Sequence, residues 1–200
     1  LNALDSSLRE GMERGRISKA GELARRKAEL LLAKEVSSEA DWVVLDGTLE
    51  EKLPGEKEIL DCLPPNVCGL AKSCSLITAK GRNAVGYVGS RGLHGNWMYF
   101  LDQEKRRKTF FVRLNEQSGH IFRFESFSEN EEVVGLLAAN SVDPVFIGYP
   151  YGLIYTDQRA RVSNQETGLM RTKLFSLLGK KETVIFNNCS AHEILDKVKY

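Results

Sequence analysis

The feature that most constrains the fold is a short apolar run that ends in an aspartate and a glycine. Trp42-Val43-Val44-Leu45 is rich in β-branched and aromatic residues, and Asp46-Gly47 follows it directly. A continuous apolar run of this length is typical of a strand that is buried on both faces. The sequence therefore predicts a buried strand within 41–49, with a carboxylate at its C-terminal end.

Helices and strands are mixed along the rest of the chain. The good helix formers of 18–36, with Ser18 as N-cap, predict a helix before this strand. The patterns predict further helices over 129–140, 156–178 and 191–200, and strands over 97–101, 109–114, 120–125, 146–155 and 183–186. They predict loops over 50–66 and, glycine-rich and mobile, over 80–95, and a short apolar segment begins at 67–72. We expect one α/β domain over 1–200, a mixed β-sheet flanked by helices with a β-hairpin region inserted.

Composition limits the classes of partner and compartment. With 28 Lys and Arg against 27 Asp and Glu, a nucleic-acid-binding protein of this charge needs a local basic patch. No apolar run is long enough to cross a bilayer, and the first residues lack the basic start and apolar stretch of a signal peptide. The four cysteines lack the CxxC spacing of zinc sites. We expect free thiols, a cytoplasmic location and no membrane contact.

The candidate chemistry begins with Asp46. A carboxylate at the end of a buried strand lies at a sheet edge, where sites tend to form. Glu29, on the preceding helix, can point at Asp46 if that helix packs beside the strand. Two such carboxylates can hold Mg²⁺ or Mn²⁺, and a pair of these ions about 4 Å apart can activate water for phosphodiester cleavage. The alternative is a plain turn, since Asp-Gly is a common turn pair.

His192 is a second candidate. Ser190 and Glu193 have the spacing of a capping box, which places His192 in the first turn of a helix. A helix N-terminus disfavours the imidazolium, and a neutral imidazole can bind a metal or accept a proton. The alternative is a surface histidine without a role.

The segment 149–162 contains tyrosines and arginines next to a predicted junction between strand and helix. Arg159 and Arg161 can hold phosphates, and Tyr149 can stack on a base. The alternative is that the tyrosines are core residues and the arginines pair with nearby acidic residues. A basic hairpin tip, Lys105–Lys108, can likewise bind phosphate or only keep a sheet edge soluble.

Four segments in the same order resemble the NurA nuclease family. They are Val44-Leu45-Asp46-Gly47-Thr48-Leu49, Gly69-Leu70-Ala71-Lys72, the run from Tyr149-Pro150-Tyr151-Gly152-Leu153 to Asp157-Gln158-Arg159-Ala160-Arg161-Val162, and Ala191-His192-Glu193-Ile194-Leu195-Asp196. Each is weak alone, and the ordered set spans most of the chain from Asp41 onward.

The resemblance implies an RNase H-like fold, a toroidal homodimer, and a nuclease that acts on DNA ends in double-strand break repair with Mn²⁺ or Mg²⁺. It also implies a hexameric HerA-type DNA translocase as partner. The implied metal ligands are Asp46, His192 and a Glu of the preceding helix, which is Glu29 or, on the same face, Glu22. The implied DNA-binding residues are Lys72, Tyr149, Arg159 and Arg161.

The sequence departs from the family pattern near its start. The family carries its first acidic residue on an opening strand, and Ala3-Leu4-Asp5-Ser6-Ser7 is only superficially similar. About a dozen mostly polar residues separate Asp5 from the helix, too few for two more strands of usual length. Either Asp5 is a coincidence and the first strand lies upstream, or this half of the sheet is reduced.

Two further functions therefore stay open. One is a catalytically incomplete RNase H-like module that binds DNA or a ring-shaped translocase. The other is an RNase H-like enzyme that acts on RNA or on branched DNA.

Overall fold

The computed structural model describes residues 15–52, 55–91, 94–128 and 131–177. In chain order the elements are α1 (Gly15–Val36), β1 (Val43–Asp46), α2 (Lys57–Asp61), β2 (Val67–Ala71), α3 (Ala84–Gly89), β3 (Trp97–Glu104), β4 (Arg107–Arg113), β5 (Phe122–Ser126), α4 (Glu131–Ala139), α5 (Tyr151–Ala160) and α6 (Asn164–Leu177). They fall into two compact units, divided between Ile154 and Tyr155.

Within the described residues, five strands form one mixed sheet in the order β1-β2-β5-β4-β3. β1 and β2 are parallel, with Val43 opposite Val67 and Asp46 opposite Leu70. The pairs β2–β5, β5–β4 and β4–β3 are antiparallel. This confirms the predicted α/β class and the mixed sheet flanked by helices. The hairpin of β3 and β4 extends the same sheet, because β4 pairs with β5.

Side-chain alternation along the strands separates two hydrophobic cores. The first core lies on one face of the sheet and includes the α4 residues Val133 and Leu137. Its strand residues are Cys68, Leu70, Phe110, Val112, Phe122 and Phe124. The second core contains the α1 residues Leu30 and Ala33, together with Leu49, Leu60, Leu63 and Val67, and Val43 and Leu45 pack against it. The predicted apolar strand is confirmed, and β1 packs against both cores, but Val43, Val44 and Leu45 are only half-buried, so the predicted full burial is wrong.

The strand predicted over 146–155 is wrong. Residues 146–150 form turns, with Tyr149 N donating to Phe146 O, and α5 begins at Tyr151. The reason is a cap from a distant residue: Tyr151 N donates to Asn140 O, and Gly152 N donates to Asn140 Oδ1. Satisfying these first amides favours a helix where the apolar pattern suggested a strand.

Three other sequence predictions need correction. The loop predicted over 80–95 contains α3, which Asn83 caps by accepting a hydrogen bond from Gly86 N. The loop predicted over 50–66 contains α2. The single helix predicted over 156–178 is two helices, because Ser163 and Glu166 form a reciprocal capping box that starts α6. The strand and helix predicted over 183–186 and 191–200 lie outside the described residues.

Two smaller expectations can be checked in the described part of the chain. Cys62, Cys68 and Cys74 are free, as expected, and burial raises the pKa of the Cys68 thiol to about 12. Among the described helices, none combines the length and the apolar character that crossing a membrane requires.

Gly69 of β2 is a close-approach position that a mutation can test. A Cβ at Gly69 would lie 2.6 Å from Gly47 O and 3.3 Å from Leu49 Cγ, because the chain after β1 crosses directly over this residue. We expect Gly69→Ala to lower the free energy of unfolding by roughly 1–3 kcal/mol, as overpacking does. Urea denaturation measures this change. The matched control is Gly119→Ala, whose added Cβ meets nothing within 4 Å, and an equal loss in both variants would contradict the packing.

Candidate active site

Asp46 and Lys72 meet where the two parallel strands end. Asp46 is the last residue of β1, and Lys72 directly follows β2. Since parallel strands end at the same sheet edge, both side chains reach the same place. Lys72 Nζ lies 2.9 Å from Asp46 Oδ2, with side-chain exposures of 52% and 41%. The pair is therefore open to solvent and to a ligand.

Tyr149 joins this pair from the turn before α5. Gly148 N donates to Ser141 O, which ties the turn to the end of α4. The Tyr149 ring packs edge-on against Phe122, at 5.5 Å between ring centres. Lys72 Nζ lies 5.2 Å from the centre of the Tyr149 ring. Hydrogen bonds to Tyr149 and then to Asp46 hold the pKa of Lys72 above its ordinary value.

Asp46, Lys72 and Tyr149 were each singled out in the sequence, and the structure brings these three together. We name them the Asp46–Lys72–Tyr149 cluster. It combines a carboxylate, an ammonium and an aromatic ring at an exposed sheet edge. An ammonium can bind a phosphate, and an aromatic ring can stack on a base.

Glu29 has different neighbours. Its carboxylate pairs with Arg25 and lies 3.8 Å from Arg26 Nη1. Strand alternation puts Asp46 on the same face as Val44, which packs against the first core, whereas α1 contributes to the second core. Arg26 forms the link between the two regions, because it also donates to Thr48 O, two residues after Asp46. Glu22, the fallback ligand, is exposed.

The described residues alone do not fit a divalent-metal site. Within them, no three histidine, cysteine, aspartate or glutamate side chains are grouped so that they could hold a metal ion. Asp46 faces Lys72, and Glu29 faces two arginines, so cationic side chains already neutralise both carboxylates. His192 and Asp5 lie outside the described residues, and the three-ligand set of Asp46, Glu29 and His192 stays a prediction.

The two arginines predicted to contact DNA belong to the second compact unit. Arg159 is exposed in the last turn of α5. Arg161 is also exposed and pairs with Asp157 at 2.8 Å, four residues earlier. This pairing is the structural alternative raised for Arg161, and an exposed pair of this kind is weak enough to open for a ligand.

The basic hairpin tip has a structural role that accounts for its arginines. Arg106 lies over the Phe127 ring at 4.1 Å and donates to Leu63 O. Arg107 pairs with Glu104 at 2.6 Å and approaches Glu50 at 3.7 Å. These contacts attach the tip to the rest of the first unit, so the arginines are not simply solvated charges.

The sequence analysis missed a set of buried charges under the segment that follows Asp46. Glu125 is fully buried, Arg123 and Arg26 are each 7% exposed, and Glu56 is 3% exposed. Glu125 Oε2 accepts a hydrogen bond from Leu49 N. The only signal in the sequence is the alternation of Phe122 and Phe124 with Arg123 and Glu125. That pattern distinguishes two faces but does not show that both are covered.

Glu50 connects this buried set to the surface. Arg123 holds the Glu50 carboxylate with both terminal nitrogens, with 3.1 Å between Nη1 and Oε2. Partial burial opposes ionisation of Glu50, but the hydrogen bond and charge of Arg123, with the charges of Arg107 and Lys52, outweigh it. The pKa of Glu50 is therefore lowered.

Comparison with known proteins identifies the fold. The structure is similar to the crystal structure of the NurA nuclease from Sulfolobus solfataricus, with a TM-score of 0.54 and 15% sequence identity. The similarity covers 76% of this chain and 66% of that nuclease, so the chain spans slightly less than two thirds of its length. No family model matches the sequence, and no curated protein matches it. The NurA-like fold expected from the sequence is supported by this structural similarity.

The lowered pKa of Glu50 gives a pH-dependent prediction. A carboxyl whose pKa is lower in the folded state stabilises the fold above its unfolded pKa, near 4.5, and loses that effect as the pH falls through the folded value. Glu50→Gln should therefore cost about 1 kcal/mol near pH 7, a modest figure because Glu50 is 39% exposed. We expect this deficit to shrink toward about pH 3 in urea denaturation.

The control for this measurement is Glu51→Gln, which changes the adjacent, exposed carboxylate. We expect it to leave the stability almost unchanged at both pH values. A Glu50→Gln deficit that is the same near pH 7 and pH 3 would show that the ion pair with Arg123 is not its source.

Proposed function

We propose that this chain is the core of a metal-dependent DNA nuclease of the NurA type. The observation that carries the proposal is the Asp46–Lys72–Tyr149 cluster, which lies at the carboxyl ends of parallel strands in a fold shared with a NurA nuclease. Open α/β sheets bind their ligands at this edge. In this proposal Asp46 belongs to the reaction centre, and Lys72 and Tyr149 bind the nucleic acid.

Lys72 and Tyr149 suit a nucleic-acid strand. Lysine has three N–H donors, and the contact with Asp46 uses one of them, so the ammonium can also donate to a phosphate oxygen. Tyr149 provides an aromatic surface beside that phosphate position. In this proposal Arg159 and Arg161, which belong to the second unit, also contact DNA phosphates.

Dependence on Mn²⁺ or Mg²⁺ is part of the proposal, with Asp46, Glu29 and His192 as ligands. Asp46 supplies the hard oxygen donor that these ions prefer. Because the described residues do not form a three-donor group, the remaining donors must come from outside them or from a rearrangement of Glu29. A homodimer, a HerA-type translocase partner, DNA-end repair and a cytoplasmic location belong to the same proposal and derive from the family resemblance.

The decisive test changes Asp46 while keeping its shape. With the full chain and linear double-stranded DNA, we expect Mn²⁺-dependent degradation by the wild type and its loss in Asp46→Asn. Changing a residue that only orients a metal ligand costs about 10–100-fold, so a ligand should cost more. Asp41→Asn, an exposed aspartate five residues earlier, is the matched control. Equal degradation by folded Asp46→Asn would remove Asp46 from the site.

The role proposed for Lys72 predicts a change in DNA binding. Lys72→Gln should weaken binding of a fluorescent oligonucleotide uniformly across sequences. It should also reduce the slope of log K against log salt by about 1, as the loss of one phosphate contact does. Lys34→Gln, an exposed lysine at the end of α1, is the control. An unchanged salt slope in Lys72→Gln would show that Lys72 does not contact a phosphate.

A second function, a binding module without chemistry, is favoured by one observation. Both candidate carboxylates are already paired with basic side chains, and the described residues contain no three-donor group. Calorimetry with Mn²⁺ on the full chain separates the two functions. Binding that Asp46→Asn abolishes supports the nuclease, whereas DNA binding without Mn²⁺ binding supports the module.

A further inference from the structure

The four residues after Asp46 are attached to several different elements. Gly47 N donates to Leu70 O at 3.0 Å, and Gly47 O passes over Gly69 of β2. Thr48 O accepts a hydrogen bond from Arg26 of α1. Leu49 N donates to Glu125 of β5, and Glu50 pairs with Arg123 of the same strand. This tethered segment, Gly47–Glu50, is therefore fixed from α1 on one side and from the sheet on the other.

Glu125 has an unusual position for a carboxylate. It lies on β5, the middle strand of the sheet, opposite Gly69 of β2 and Thr109 of β4. It is completely buried, with Arg123 as its ion-pair partner. Gly69 has no side chain, and this leaves the space through which the tethered segment reaches Glu125.

Arg26 of α1 also holds the tethered segment, by donating a hydrogen bond to Thr48 O. Its side chain is 9% exposed and lies 3.8 Å from Glu56, which is 3% exposed. Glu56 Oε2 also accepts a hydrogen bond from Lys52 N, so Glu56 holds the chain just beyond the tethered segment. Arg26 and Glu125 thus hold the two ends of one peptide group, the carbonyl of Thr48 and the amide of Leu49.

Stability is a poor explanation for these buried charges. The cost of removing charges from water commonly equals or exceeds the attraction between them, and apolar side chains of similar size are often at least as stabilising. Fixed geometry is a better explanation, since a reacting group must be held closely in place by residues that are themselves locked. Gly47 permits the path of this segment, because its φ of 151° is a conformation that L side chains rarely adopt.

We propose that Glu125 and Arg26 are positioning residues that hold the Asp46 carboxylate in place by fixing the peptide group between Thr48 and Leu49. They act through the backbone and do not touch the substrate. An effect on cleavage rests on the proposed function. An effect on the placement of Asp46 beside Lys72 does not.

The test compares two replacements of Glu125. Glu125→Gln keeps an oxygen that can accept the Leu49 hydrogen bond, whereas Glu125→Met has a similar length and no such acceptor. We expect Glu125→Met to lower kcat for linear DNA by roughly 100-fold with little change in KM, because a displacement of about 1 Å can cause such a loss. Glu125→Gln should recover most of the rate.

A second destabilised variant separates positioning from lost stability. Val88→Ala removes buried volume from α3, outside both cores. We expect it to lower the urea midpoint as much as Glu125→Met while leaving kcat near that of the wild type. If Val88→Ala and Glu125→Met lose activity in proportion to their loss of stability, the positioning role is overturned.

A second measurement does not depend on nuclease activity. The NMR signal of the Lys72 ammonium group reports its contact with Asp46, and Asp46→Asn defines the signal without that ion pair. We expect Glu125→Met to shift the signal toward that of Asp46→Asn, and Glu125→Gln and Val88→Ala to leave it unchanged.

The two measurements distinguish failure of this inference from failure of the proposed function. If the wild type does not cleave DNA, the nuclease proposal fails, and the Lys72 signal alone decides whether Glu125 positions Asp46. An unshifted Lys72 signal in Glu125→Met overturns the positioning role, whatever the activity of the wild type.

Discussion

The parallel pairing of β1 with β2 is the interaction on which the rest of the site depends. It aligns the ends of the two strands, so that Asp46 and Lys72 leave the sheet at the same edge and meet at 2.9 Å. An antiparallel pair would send these residues to opposite edges. The first core, beneath α4, then completes the cluster, because it supports the Phe122 ring on which Tyr149 packs. The site is therefore a direct product of strand direction and core packing.

The two faces of the sheet contribute differently to this arrangement. The face with Phe122 and Phe124 is an ordinary apolar core covered by α4. The face with Arg123 and Glu125 is polar, yet it is covered by the tethered segment rather than by water. Charged side chains on that face can bind peptide groups of the chain above them, which apolar residues cannot do. A polar interior face thus fixes a loop at the point where the candidate site needs rigidity.

The sequence predicted correctly those elements that have a clear residue pattern of their own. The helix formers before Val36, the apolar run ending at Asp46 and the antiparallel strands from Trp97 onward all lie close to where the sequence places them. The error at 146–155 has a non-local cause, because the cap on α5 comes from Asn140, eleven residues before Tyr151. The residue pattern around Pro150 does not show that the chain turns back so that Asn140 reaches the first amides of α5.

The same distinction applies to the candidate site. Asp46, Lys72 and Tyr149 were identifiable because each lies in a short motif, and family resemblance gave these motifs an order. Glu125 was not identifiable, since it lies 76 residues from Leu49, whose amide donates a hydrogen bond to it. Its role depends on the missing side chain at Gly69 and on the path of the tethered segment, and the sequence around Glu125 shows neither.

The counter-ion of Asp46 also bears on how such a site can work. An ammonium at 2.9 Å neutralises the carboxylate as long as no other cation competes for it. A phosphate that binds Lys72 would draw positive charge away from Asp46 and make that carboxylate a better ligand for a divalent cation. In the proposed nuclease, substrate and metal would then favour each other's binding by linkage. That coupling requires Asp46 to stay in place when Lys72 shifts, and the hydrogen bonds to Thr48 and Leu49 would keep it there, because neither involves Lys72.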